Sequence, residues 1–117
     1  MRRMTRVAIL GILGTIFAAC GGGGGLSETD ACKQYFAVFC NMTSTCSGTA
    51  GLSALGYTSL AECTTSEQAA CVSTPTCKSN EVYHSDNAQT CIDQTKAQGC
   101  TDFTNNVTPP SCDLVCM

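Results

Sequence analysis

Eleven cysteines are spread through a chain of 117 residues that has no tryptophan, three tyrosines and four phenylalanines. With so few large apolar side chains, cross-links rather than a large core decide what the chain can fold into. Ten of the cysteines, Cys32, Cys40, Cys46, Cys63, Cys71, Cys77, Cys91, Cys100, Cys112 and Cys116, lie in the last three quarters of the sequence. An even number at this density in a small exported domain reads as a disulfide framework. Zinc is the competing use of clustered cysteines, but it favours pairs separated by two or four residues. The only short pair here is Cys112 and Cys116, with three between. A redox motif of the C-x-x-C type does not occur. The expectation is five disulfides, with no metal and no cofactor.

The spacing of these cysteines carries a pattern. Cys32-x7-Cys40-x5-Cys46 recurs as Cys63-x7-Cys71-x5-Cys77, 31 residues later. Eight helical positions at about 100° each leave two cysteines roughly 80° apart around the axis, on one face and two turns apart. Two such helices in an antiparallel hairpin would bring the first cysteine of one against the second of the other. That predicts Cys32–Cys71 and Cys40–Cys63, out of roughly 900 complete pairings that ten cysteines allow.

Helices are predicted at three places. The first runs from about Glu28 to Asn41, where Cys32, Tyr35, Phe36, Phe39 and Cys40 follow the amphipathic period. Its aromatic stripe is expected in the core. The second starts at Ser59, with Glu62 placed for a capping box, and fades after Val72 ahead of Pro75. The third runs from Ser85 to Gln98, with Ala88, Cys91, Ile92 and Thr95 on one face and Gly99 set to end it. Residues 46–58 and 105–111 are rich in Gly, Ser, Thr or Pro and read as loops. The predicted fold class is small all-α and disulfide-rich, with about three short helices joined by Ser/Thr/Gly-rich loops.

The N-terminal quarter has another character. Arg2, Arg3 and Arg6 precede an uncharged run from Val7 to Ala19. A run of that length falls short of the roughly 20 residues of a membrane span and has the flanks of a secretory signal. Ala18-Ala19-Cys20 at its end resembles a bacterial lipobox, with Phe17 where leucine is usual. The resemblance implies that Cys20 becomes the lipid-modified N-terminus. Gly21–Gly25 and the polar residues after them then form a tether, reaching about 16–19 Å over ten residues. The predicted organisation is a signal peptide over 1–19, a lipidated cysteine and tether over 20–30, and a cysteine-rich helical domain over 31–117. The glycine run lacks the preceding strand that a phosphate-binding loop needs.

Cys20 with its glycines, "GYTSLAEC" at 56–63 and "CIDQTKAQGC" at 91–100 with a proline-containing tail behind it together resemble cysteine-rich lipoproteins abundant in myxobacteria. The likeness covers most of the mature chain and implies an envelope anchor; the group lends no activity. In lipoproteins of Gram-negative bacteria, glycine rather than aspartate after the lipidated cysteine, here Gly21, goes with the outer membrane. A weaker likeness to twin cysteine-helix hairpins stops at the hairpin, since those space their pairs by nine residues. Asn41-Met42-Thr43 and Asn106-Val107-Thr108 are glycosylation sequons, which matter only in a eukaryotic host.

Loss of residues 1–19 leaves three lysines against nine acidic residues, a net charge of −6, which argues against a nucleic-acid partner and a polybasic membrane patch. His84 is the single histidine and reads as a surface residue rather than a base. The pairs Glu62/Glu67 and Asp86/Asp93 are explained by capping and solvation. No nucleophile with a matched base can be named, so no enzyme is expected. The sequence points to an envelope-anchored module whose partners are the membrane, through the Cys20 lipid, and a protein of unspecified kind. It would act as a structural or adhesive binding unit, or alternatively as a secreted inhibitor or binding module for an external protein.

Overall fold

The computed structural model of the protein describes residues 25–117; the signal peptide, Cys20 and the first tether glycines lie outside them. The described chain is helical in four stretches and a 3₁₀ turn, in the order α1 (Glu28–Ala54), α2 (Leu60–Ser73), α3 (Ser85–Ala97), α4 (Cys100–Thr104) and η1 (Pro110–Leu114). This is a small all-α, disulfide-rich fold.

Ser27 starts α1: its hydroxyl accepts from Asp30 N at 3.1 Å, and Glu28 and Asp30 sit in the first turn, where the helix dipole favours negative charge. Residues 28–30, assigned above to the tether, are therefore helical. Leu26 also packs against the core, and its carbonyl accepts from the Tyr83 hydroxyl at 2.8 Å. The domain begins several residues before the expected boundary because this cap and the Tyr83 contact anchor its leading edge.

A larger correction concerns residues 46–58, read above as a loop. Helix α1 continues through most of them to Ala54, interrupted only at Gly48. Its φ of 61° and ψ of −154° belong to a region open essentially to glycine. Tertiary contacts override the weak propensity of the Ser, Thr and Gly residues here. Leu52 is buried against Cys40 and Cys63, and Cys46 is tied to Cys100. The helix closes where Tyr57 N donates to the Leu52 carbonyl at 2.9 Å over Gly56, which takes a left-handed φ of 92°.

Helix α2 returns alongside α1, and the ladder of Cys32–Cys71 and Cys40–Cys63 joins them. Each step of eight residues along α1 is matched by eight back along α2, the antiparallel register that the spacing predicts. Ser59 caps α2 by accepting from Glu62 N at 3.1 Å. The Glu62 carboxylate reaches one residue further back than a capping box requires and accepts from both Thr58 N and Thr58 Oγ1, each at 2.6 Å. The third cysteines of the two spacing units part company. Cys46 remains on α1, whereas Cys77 lies in the loop beyond Pro75, so the repeated spacing serves one hairpin and does not build two like units.

Helix α3 packs on α1, and η1 packs on α3. It stops at Ala97 with Gln98 extended, and Gly99, at φ −73°, serves as N-cap of α4 rather than as a left-handed stop. The tail of the chain also departs from the expected loop, because Pro110 opens η1. Pro fits the first position of a helical turn, where its missing N–H is not needed. A short antiparallel seam closes the molecule: Val82 and Met117 exchange backbone hydrogen bonds, and His84 N donates to the Val115 carbonyl at 2.9 Å.

The core consists of two small clusters. Ala31, Ala88 and Ile92 form one, with Leu26, Tyr35, Val38, Tyr83 and Val115 around it. Cys40, Leu52 and Cys63 form the other, with Phe39 and Tyr57 against it. Both sulfurs of the Cys40–Cys63 bridge belong to residues with no exposed surface, so this disulfide serves as core as well as cross-link. The aromatic stripe departs from expectation: Tyr35, Phe36 and Phe39 are all only half-buried. The space between the helices is filled by alanines and sulfurs, and the rings lie along its edge.

Candidate functional site

All ten cysteines of the described residues are paired. To the two rungs of the hairpin the structure adds Cys46–Cys100, Cys77–Cys116 and Cys91–Cys112, with Cα separations of 5.2, 5.3 and 4.7 Å. Cys112 and Cys116, the short pair that could have suggested a metal knuckle, go to different partners on different elements. Cys77, Glu81 and Cys116 bring three ligand-type atoms close together, but the two sulfurs are bonded to each other. A metal site needs thiolates, and here both are consumed. Among the described residues no helix is long and apolar enough to cross a membrane. The lipidation candidate, Cys20, lies outside the described residues.

His84 is the residue before α3, where its side chain makes no capping hydrogen bond. Its backbone does the work: the N–H joins the seam to Val115, and the carbonyl accepts from Ala88 N at 3.0 Å. The acidic pairs are likewise occupied locally. Glu67 accepts from the Tyr57 hydroxyl at 2.7 Å, which pushes the Tyr57 phenol up from its ordinary value. The Thr58 donors hold the Glu62 carboxyl below the usual carboxylate range. Asp93 accepts from Gln89 Nε2 at 3.0 Å on the exposed face of α3. These groups do not converge on a common point.

Two clefts flank the aromatic edge of α1. Tyr35 stands between them, 5.4 Å from Phe36 and 6.4 Å from Phe39 by ring centroids, and Phe39 meets Phe103 of α4 at 5.7 Å. Burial raises the Tyr35 phenol. The first cleft, about 280 Å³, lies between the C-terminal half of α1, the end of α3, α4 and the 105–109 loop. The second, about 320 Å³, lies between α1 and α3 over the Ala31, Ala88 and Ile92 cluster, with Glu28 and Asp113 at its margin. Sequence reasoning missed both. The first is built from residues 46–58 and 105–111, whose composition signals a loop and gives no sign that two such segments face each other. One local signal was present: Asn106, which takes φ 58° at the rim, is among the few residue types that adopt that conformation readily.

No family model matches the chain, and neither a curated protein nor a solved structure matches it.

Proposed function

We propose that the mature protein is a lipid-anchored module of the bacterial envelope, held at the outer membrane through Cys20. Its stapled helical domain acts as a structural or adhesive binding unit rather than as a catalyst. The observation that carries this reading is a count. Five disulfides use all ten cysteines of residues 25–117. The eleventh, Cys20, has no cysteine of its own chain left to pair with, and it follows Ala18-Ala19 at the end of the apolar run. An exported thiol without a partner invites modification, and a lipid on its sulfur answers both the parity and the motif. Stable anchoring takes more than one acyl chain, which a lipoprotein N-terminus supplies.

The binding role is supported by the local use of His84, Glu62 and Glu67 and by a cross-linked frame that keeps two clefts open. The test is expression of the full chain and its Cys20→Ser variant in a Gram-negative host fed a labelled fatty acid. Wild type is expected to take up label and partition into detergent, while the variant remains unlabelled and soluble or unprocessed. Identical fractionation of the two without label would reject the anchor and favour the secreted binding module.

A further inference from the structure

The cleft between α1, α3, α4 and the 105–109 loop differs from the rest of the surface in charge. The mature chain carries nine acidic residues and three lysines, yet no charged side chain lines this cleft. Aromatic rings and small polar side chains do. Tyr35, Phe39 and Phe103 form an apolar wall. Several hydroxyls and amides are already committed to the fold. Thr43, Thr95 and Thr104 donate to the carbonyls of Phe39, Cys91 and Cys100 at 2.9, 2.8 and 2.7 Å, and Gln98 Nε2 donates to Val107 O at 2.7 Å. The polar groups of Ser47, Asn106 and Thr108 remain to face whatever enters.

These features select a ligand class. A charged molecule would meet no counter-charge. A purely apolar one, such as an acyl chain or a leucine-rich peptide, would strip water from Ser47, Asn106 and Thr108 without replacing it, at about 1–3 kcal/mol for each polar group left unpaired. A neutral sugar avoids both penalties. One face of a pyranose ring is lined with C–H groups that pack on the negative faces of aromatic rings, and its edge carries hydroxyls that both donate and accept. The volume, about 280 Å³, is at the small end of ligand pockets and suits one ring, with the rest of a glycan outside. Cys46–Cys100 ties α4 to α1, so the walls are ordered before a ligand arrives, which lowers the entropic cost of binding.

We infer that this cleft binds one neutral pyranose unit of a glycan, stacked on Phe103 and Phe39 and hydrogen-bonded by Asn106, Ser47 and Thr108. The inference rests on the reading of the domain as a binding unit and supplies its ligand class; it does not depend on the lipid.

The test uses the mature chain carrying Cys20→Ser, oxidised, followed by amide NMR during titration with chitotriose, cellotriose or trigalacturonate. Saturable shifts at Ser47, Phe103 and Asn106 are expected with at least one neutral trisaccharide. Which of the two binds separates an acetylated amino-sugar glycan from a plain glucan. Trigalacturonate should bind at least tenfold more weakly. Asn106→Gly keeps the left-handed backbone available and removes only the amide, so it should weaken binding about tenfold at unchanged Tm. Phe103→Leu should do the same while keeping an apolar contact to Phe39. Absence of saturation by both neutral sugars would overturn the inference, as would unchanged affinity in Asn106→Gly or shifts confined to the Ala31, Ala88 and Ile92 cleft. Because the protein tested has no lipid, such a failure leaves the anchor standing, and a failed anchor leaves the sugar result standing.

Discussion

The α1–α2 hairpin and the C-terminal seam are both closed by disulfides, yet they hold their shape in different ways. In the hairpin two regular helices carry their cysteines at a helical interval, so Cys32–Cys71 and Cys40–Cys63 form rungs of one ladder, the second fully buried. In the seam, residues 75–84 and 110–117 are irregular, and Cys77–Cys116 beside the short backbone pairing holds two strands that neither capping nor periodicity would place. In the hairpin the cross-link reinforces a geometry that the helices already favour. In the seam it supplies the geometry.

Removal of the disulfides breaks this comparison most severely. Cys40→Ala with Cys63→Ala deletes a cross-link and the centre of a core cluster together, and is expected to cost about 3–5 kcal/mol, with one global loss of helical circular dichroism. Cys77→Ser with Cys116→Ser removes a bridge of similar loop length, worth about 2–4 kcal/mol. Its effect should be local: amides of Val82, His84 and Met117 lose hydrogen-exchange protection while those of α1 and α2 keep theirs. Equal loss of protection across the molecule in the second variant would erase the distinction.

The hairpin has one irregular point, at Gly48. A Cβ there would meet no atom within 4 Å, so Gly48→Ala tests backbone conformation alone. The expected destabilisation is about 1–3 kcal/mol, read from the urea midpoint. A smaller contrast separates the two helix starts. Ser59→Ala removes the α2 cap and should cost about 1 kcal/mol. His84→Ala, at the start of α3, leaves the backbone bonds in place and should fall within about 0.5 kcal/mol of wild type.

Acid and alkali sharpen the contrast with the smallest effects. Glu62 is held below the usual carboxylate range by Thr58, so its contribution is present above the unfolded value of about 4.3 and is lost as pH falls through the folded one. The Tyr83 phenol, which joins the seam to the start of α1, is raised by burial and by Glu28 and Asp30. Its contribution is present below the unfolded value of about 10 and is lost as pH rises through the folded one. Thermal melts should therefore show an acid-side loss that Glu62→Gln removes and an alkaline-side loss that Tyr83→Phe removes.

The same division decides what could be read from residues alone. The hairpin was legible: Ser59 with Glu62 marks a start, Pro75 a stop, and eight-residue spacing on two helices implies the register and two of the bridges. The continuation of α1 past Cys46 was not, because Ser, Thr and Gly there have weak propensity and the burial of Leu52 and the Cys46–Cys100 bridge are long-range facts. The seam and η1 were illegible for the same reason, and so were the three bridges that close them. Tyr35, Phe36 and Phe39 mark the inner face of α1 correctly, but periodicity cannot tell a ring in the core from one at its rim. Both clefts depend on that difference.

The central claim is that ten cysteines form five bridges within the domain and the eleventh carries lipid. Non-reducing intact mass of the mature protein extracted from membranes, before and after reduction and alkylation, tests it most directly. The account predicts no alkylation before reduction, ten alkylated cysteines after it, and a diacylglycerol mass retained on the Cys20 peptide throughout. Free thiols in the native protein, or an unmodified Cys20 that alkylates with the rest, would contradict it.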